Sequence, residues 1–189
     1  MGKNVFIGLI LISVFCVFPA FAQQQAGPVG IFLNHHAARN FIAGEISREH
    51  LDIIIQAGVR APSARNLQPW HFTVVQNEAL ARQILPQSQA GNVHIVVSAA
   101  GDGRTNGVQI LDSALAIQSI YLAAQALGYG SRIYTGHNDR INRTLRTALA
   151  LPPGHNIVGF VRVGRVDAAL DGISGPSPRR QLDEVVSFM

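Results

Sequence analysis

Residues 60–75 read Arg60-Ala61-Pro62-Ser63-Ala64-Arg65-Asn66-Leu67-Gln68-Pro69-Trp70-His71-Phe72-Thr73-Val74-Val75. Two prolines fix backbone angles and remove amide donors at either end of Ala61 to Pro69, which makes that segment a stiffened loop. Trp70 to Val75 is aromatic and β-branched and reads as a strand. Before the loop, Ser47 is a good N-cap, with Ile46 and Leu51 placed as a hydrophobic staple around it. Leu51, Ile54, Ile55 and Val59 then fall on one face of a helix, which Pro62 terminates. The unit is helix, rigid polar loop, buried strand.

The same alternation continues outward. Val29 to Asn34 reads as a short helix, Glu78 to Leu85 as another, and Val93 to Ser98 as a second strand. Val108 to Leu127 is a long helix interrupted by few polar residues, and a helix apolar on nearly all sides must be covered on nearly all sides. In a small domain, a subunit interface is one way to do that. Gly128 and Gly130 supply its C-terminal stop. Ser131 to Tyr134 and Ile157 to Val163 read as strands, Asp139 to Leu149 as a helix and Val166 to Ser177 as a polar connection. Strands separated by helices, with no linker, give one α+β domain.

Lys3, the apolar run Val5 to Phe18, Pro19 and Ala20-Phe21-Ala22 stand in the order of a secretory signal peptide. Cleavage is expected between Ala22 and Gln23, with the mature domain over 23–189 exported, to the periplasm. The apolar run is shorter than the roughly 18–20 residues of a spanning helix, so no stable membrane insertion is expected after cleavage. Removing 22 of 189 residues leaves 167 and takes away the only cysteine and the only lysine. Neither a disulfide nor a cysteine nucleophile is then available. Fourteen arginines face eleven acidic residues. They are scattered along the chain, which argues against a nucleic-acid face, while the mild positive balance favours a small anionic ligand.

The loop carries the most chemistry. Ser63, Asn66 and Gln68 present a hydroxyl and two amides at close spacing, and an amide both donates and accepts. That set suits a flat heterocycle with alternating donors and acceptors. It suits equally a loop that satisfies its own turns. Gly101-Asp-Gly103-Arg-Thr-Asn-Gly107 follows a strand and precedes a helix, yet its third glycine comes one residue late for a dinucleotide fingerprint, so it reads as a tight turn. The seven histidines show no metal-ligand spacing, and no Gly-x-Ser-x-Gly elbow is present.

Pro62-Ser63-Ala64-Arg65-Asn66-Leu67-Gln68-Pro69-Trp70 resembles the signature loop of the nitroreductase family of FMN enzymes. His35-His36-Ala37-Ala38-Arg39-Asn40-Phe41 resembles that family's N-terminal phosphate- and ring-binding stretch, and Asp112 to Gly130 its dimer-core helix. Tyr134-Thr135-Gly136 resembles the turn that approaches flavin N5, and Ser177 to Val186 the basic C-terminal segment at the FMN phosphate. The resemblance implies a three-layer fold, a mixed central sheet with helices on both faces, and a homodimer with FMN at the subunit interface. His35, His36, Ala37 and Arg39 would then bind the cofactor, with Arg39 near N1 and O2. Pro62, Ser63, Ala64 and Asn66 would reach the ring from the other subunit. Thr135 and Gly136 would offer a backbone N–H to N5, and Arg179, or Arg180 one residue on, would hold the phosphate. His35 and Ala37 stand where the family usually has arginine and serine, which puts phosphate affinity in question. The implied reaction is ping-pong hydride transfer from NAD(P)H, or another donor, through the flavin to a small-molecule acceptor such as a quinone or nitroaromatic. No side-chain acid or base is required. An FMN-dependent dehydrogenase or oxidase, and a non-catalytic flavin-binding protein, are the alternatives.

Overall fold

In a computed structural model, residues 29–101, 107–174 and 177–189 are described. The expected signal peptide (1–22) and the interior of the Gly101–Gly107 turn lie outside them. The elements are α1 (Gly30–Asn34), α2 (Arg48–Val59), β1 (Trp70–Val75), α3 (Glu78–Ile84), β2 (Val93–Ala100), α4 (Gly107–Ala126), β3 (Gly130–Tyr134), α5 (Asn138–Thr144), β4 (His155–Gly164) and α6 (Ala168–Ser174).

The four strands lie in the order β1-β2-β4-β3. α2 and α4 cover one face, where Leu51, Ile54, Ile117 and Ile120 pack on Val93, Ile95, Val97, Val161 and Val163. On the other face, Ile84, Leu85, Ile141, Leu145 and Leu149 pack on Val75, Val96, Ile157 and Phe160. Each such aliphatic side chain, fully buried, contributes on the order of 1.5–3 kcal/mol. The three-layer α+β architecture is therefore as expected.

The sheet itself corrects the expectation of a mixed one. All three described pairings, β1–β2, β2–β4 and β3–β4, are antiparallel. The reason is topological. The crossover through α4 returns β3 in the same direction as β2, as helical crossovers between strands do. β4 then inserts between the two and runs against both, so no parallel neighbours form.

Local chemistry explains the ends. The Ser47 hydroxyl accepts from the His50 amide at 3.2 Å, and Ile46 and Leu51 are both buried, as the staple requires. The inward face of α2 is completed by Gly58, not by Val59, which is 39% exposed. A Cβ at position 58 would lie 2.7 Å from Ile120 Cγ1 and 3.2 Å from the Phe72 ring, so glycine there lets α2 approach α4. Val166 to Ser177, expected as a connection, contains α6. The Asp167 carboxylate starts it by accepting from the Ala169 and Leu170 amides at 3.1 and 3.0 Å. α5 stops at Thr144, five residues short of the expected end.

α4 is long and apolar enough to cross a membrane, but Ala116, Ile117, Ile120 and Ala124 are buried against the rest of the domain. Its other face leaves Val108, Leu111 and Leu115 at 52, 61 and 38% exposure.

A polar patch also lies in the second layer. His94 is fully buried in β2 and stacks on Phe160. Across the sheet in β4 is its register partner Arg162, buried too, which donates to Asn92 Oδ1 at 2.9 and 2.6 Å and lies 4.0 Å over the Phe41 ring.

Candidate functional site

Residues 35–40 leave α1 and run along the start of β3. The Ala38 amide donates to the Ser131 carbonyl at 3.0 Å, and Phe41 bridges to Val166. This close crossing needs Gly130, where a Cβ would collide with Val166 and sit 2.9 Å from Ala38 Cβ. Gln125 of α4 fixes the same segment from the side. Its Nε2 donates to the His36 carbonyl and to Ser131 Oγ, both at 2.9 Å, and its Oε1 accepts from the His36 amide at 3.3 Å.

Side chains from distant parts of the chain converge here. His35 Nδ1 lies 3.2 Å from the Tyr121 hydroxyl, in edge-to-face contact with that ring. Arg39 is exposed, and its Nη2 donates to Ser177 Oγ at 3.2 Å. Burial, then the nearby Arg179 guanidinium, then His36 push the His35 pKa below its ordinary value. Burial raises the Tyr121 phenol, while Arg179 acts on it in the opposite sense. Arg39 and Arg179, which both donate to Ser177, at its Oγ and its carbonyl, form a positive corner that suits an anion.

Of the two candidate C-terminal arginines, Arg180 is tied to Glu184, through Nε to Oε2 at 3.2 Å and Nη2 to the backbone carbonyl at 2.7 Å. Arg179 donates through Nη1 to the Ser177 carbonyl at 2.8 Å. His36 points its Nε2 at Asp171 Oδ2, 2.8 Å away. Ala37 is exposed and contributes no side-chain donor.

β3 leads from this corner to Thr135 and Gly136, both exposed, with open space where a Gly136 side chain would be. Four residues of strand separate Ser131 from Thr135, about 13 Å at the usual rise. The positive corner and an open backbone turn are therefore set apart by one short strand.

The Pro62–Pro69 loop is built separately. Arg65, Asn66 and Gln68 take positive φ angles of 53°, 56° and 46°. The Ser63 hydroxyl accepts from the Gln68 amide at 3.0 Å, and Asn66 Oδ1 accepts from Gln68 Nε2 at 3.1 Å. The loop therefore does satisfy some of its own turns, and the Asn66 amide donors remain for a ligand. The Ala64 amide donates to the buried carboxylate of Asp112 at 3.0 Å. Asp112 and Tyr121 are nine residues apart on α4, roughly 14 Å along a helix axis. Within one protomer the loop and the positive corner are held at different levels of α4.

Several supporting residues were given no role by the sequence reading: Asp112, Tyr121, Gln125 and Asp171. The polar breaks in α4 were visible, but nothing in their spacing says which loop each one holds. The start of α6 did carry a signal, since Asp167 is a good N-cap.

A family model described as the Nitroreductase family matches residues 33–101 and 91–165. A provisionally named NADH dehydrogenase/NAD(P)H nitroreductase of Archaeoglobus fulgidus is 36% identical over 131 residues, 61% of this chain and 71% of its own length. A nitroreductase structure in complex with FMN from Desulfovibrio desulfuricans superposes with a TM-score of 0.70 at 26% identity, covering 86% of this chain and 97% of that one. One with bound FMN from Desulfitobacterium hafniense has a TM-score of 0.69 at 20% identity, covering 85% and 97%, and supports the fold.

Proposed function

The chain belongs to the nitroreductase family, and we propose from that premise that it is an FMN-dependent oxidoreductase working as a homodimer. The observation that carries the reading is the meeting of Arg39 and Arg179 at Ser177, with the Arg39 segment crossing the start of the strand that ends at the open Thr135–Gly136 turn. The donor set fits the group: guanidiniums for a phosphate, a backbone turn for a ring edge. When bound, FMN supplies hydride transfer from NAD(P)H to a quinone or nitroaromatic acceptor, in a ping-pong sequence.

The residues have separate tasks. Arg179 holds the phosphate by charge-assisted bonds. Ala37 adds no donor and His35 is a weakly basic neighbour, so Arg39 and Arg179 carry most of the charge. Arg39 also places a fixed cation where negative charge develops on the ring, and such preorganised charge needs no rearrangement during reaction. Thr135 and Gly136 present backbone at N5, and the absent side chain at 136 leaves room for the approach. Pro62, Ser63, Ala64 and Asn66 belong to a loop pinned about 14 Å away along α4. A second copy, seated on the exposed face of Val108, Leu111 and Leu115, brings that loop to the ring.

The order of Lys3, Val5–Phe18 and Ala20-Phe21-Ala22 supports export to the periplasm. Nicotinamide cofactors are mainly cytosolic, so an exported enzyme would draw on another donor. The test is spectroscopic. Purified protein is loaded with FMN, freed of excess flavin and titrated anaerobically with NADPH. A stoichiometric flavin band that bleaches supports the reading. A band that bleaches only with another reductant moves the donor assignment, and no band overturns the proposal.

A further inference from the structure

Asp171 is a buried carboxylate, 4% exposed, carried by the short helix α6. Its Oδ1 accepts from the Arg39 amide at 2.7 Å and from the Asn40 amide at 3.0 Å, and its Oδ2 lies 2.8 Å from His36 Nε2. All three donors lie more than 130 residues away in the chain and within one short segment. Among the described residues, its ion-pair partner is His36 and not an arginine. Burial alone would raise its pKa; the Arg39 and Asn40 amides and the His36 ring outweigh that and hold it below the ordinary carboxylate value.

Such a group does more than fill a gap in the core. The Arg39 and Asn40 amides point at one oxygen of the carboxylate, and the Asp167 amide returns a bond to the Asn40 carbonyl at 2.9 Å. The backbone that carries Arg39 is therefore gripped from both sides by α6. A few residues on, Ser177 accepts from Arg39 Nη2, and Arg179 follows. α6 thus couples the two chain segments that hold the cationic groups of the anion corner.

We propose that Asp171 is the positioning residue for the phosphate-binding end of the cofactor site: it fixes the distance between Arg39 and Arg179 without touching the cofactor. This rests on the FMN reading given above. Riboflavin, which has the same ring and no phosphate, separates positioning of the phosphate corner from general support of the fold. The probes are FMN and riboflavin, titrated by quenching of flavin fluorescence against the full protein and its variants.

Wild type should prefer FMN. Asp171→Ala should lose about tenfold or more of that preference, since charge-assisted bonds hold the corner and small displacements of a binding group are costly. Riboflavin, which keeps the Arg39 contact at the ring and lacks the phosphate, should lose less affinity than FMN in the same variant. Asp171→Asn keeps an oxygen for the two amides and should retain the preference. Asp171→Glu keeps the charge but moves the carboxylate by one methylene, and should lose it. The glutamate variant carries the test if the alanine variant does not fold. An unchanged FMN-to-riboflavin ratio in both Asp171→Ala and Asp171→Glu would overturn the assignment, as would an equal loss of both ligands. A wild type that binds neither flavin would overturn the functional reading and this inference with it, whereas a wild type that prefers FMN while the variants keep its ratio overturns the inference alone.

Discussion

Acidification should weaken this fold through His94. Ser88 Oγ donates to the Leu85 carbonyl at 2.8 Å, so its single proton is engaged there. The 2.8 Å contact between Ser88 Oγ and His94 Nε2 is then a bond donated by the imidazole. That tautomer leaves Nδ1 a bare lone pair, buried without a partner among the described residues. A second proton would create an unbonded N–H in the core, beside Arg162. Burial first, and the Arg162 charge second, hold the His94 pKa down at about 3. The unfolded chain takes up that proton near pH 6.5. Above pH 6.5 both states are neutral and the stability is fully present. Below it the unfolded state binds a proton that the folded state refuses, so stability falls with pH until the folded pKa is reached. The slope is about 1.4 kcal/mol per pH unit, or roughly 2 kcal/mol lost by pH 5. Urea unfolding of wild type and His94→Gln at pH 7.5 and pH 5 isolates this contribution, because other titrating groups are common to both. Wild type should lose about 2 kcal/mol more than the variant over that interval. An equal loss in the two proteins would refute the reasoning.

Two further outcomes follow from packing. Gly58→Ala would place a methyl against the buried Ile120, 2.7 Å from Cγ1, and should cost about 1–3 kcal/mol despite the better helix propensity of alanine, read as a fall of several degrees in Tm. Leu111→Arg, on the exposed face of α4, should leave the monomer fold intact by circular dichroism but shift the mass by light scattering from dimer to monomer and abolish flavin retention; a flavin-loaded dimer would remove that face from the interface.

Short-range signals were readable in the sequence and long-range ones were not. Trp70–Val75 was legible to the residue because β-branched and aromatic side chains sit between two loops. The Ser47 cap and its staple were legible because capping is a matter of neighbours within four positions. Val59 was assigned to the buried face because apolar character was read ahead of helical phase, and Gly58, which carries no side chain to signal burial, holds that place. The insertion of β4 between β2 and β3 depends on which strands meet in space, and no local pattern specifies it. At the site, His35, Arg39 and Arg179 could be named from resemblance. Their support by Asp171 and Gln125 joins residues some 90 to 135 positions apart, and periodicity carries no information at that range. Arg180 differs from Arg179 by one surface partner, Glu184, which no local pattern assigns to one of the two.

The bond from the Ala64 amide to Asp112 has a consequence for how the protein behaves on dilution. Asp112 follows Leu111 directly, so the turn of helix that pins the Pro62–Pro69 loop is also the turn that presents the apolar face. In the homodimer proposed above, subunit exchange and cofactor release are then one event. Bound flavin would obey mass action in protein as well as in FMN, and each dissociating pair would surrender both of its cofactors at once. A dilution series that loses flavin with second-order dependence on protein concentration would be the signature of that linkage.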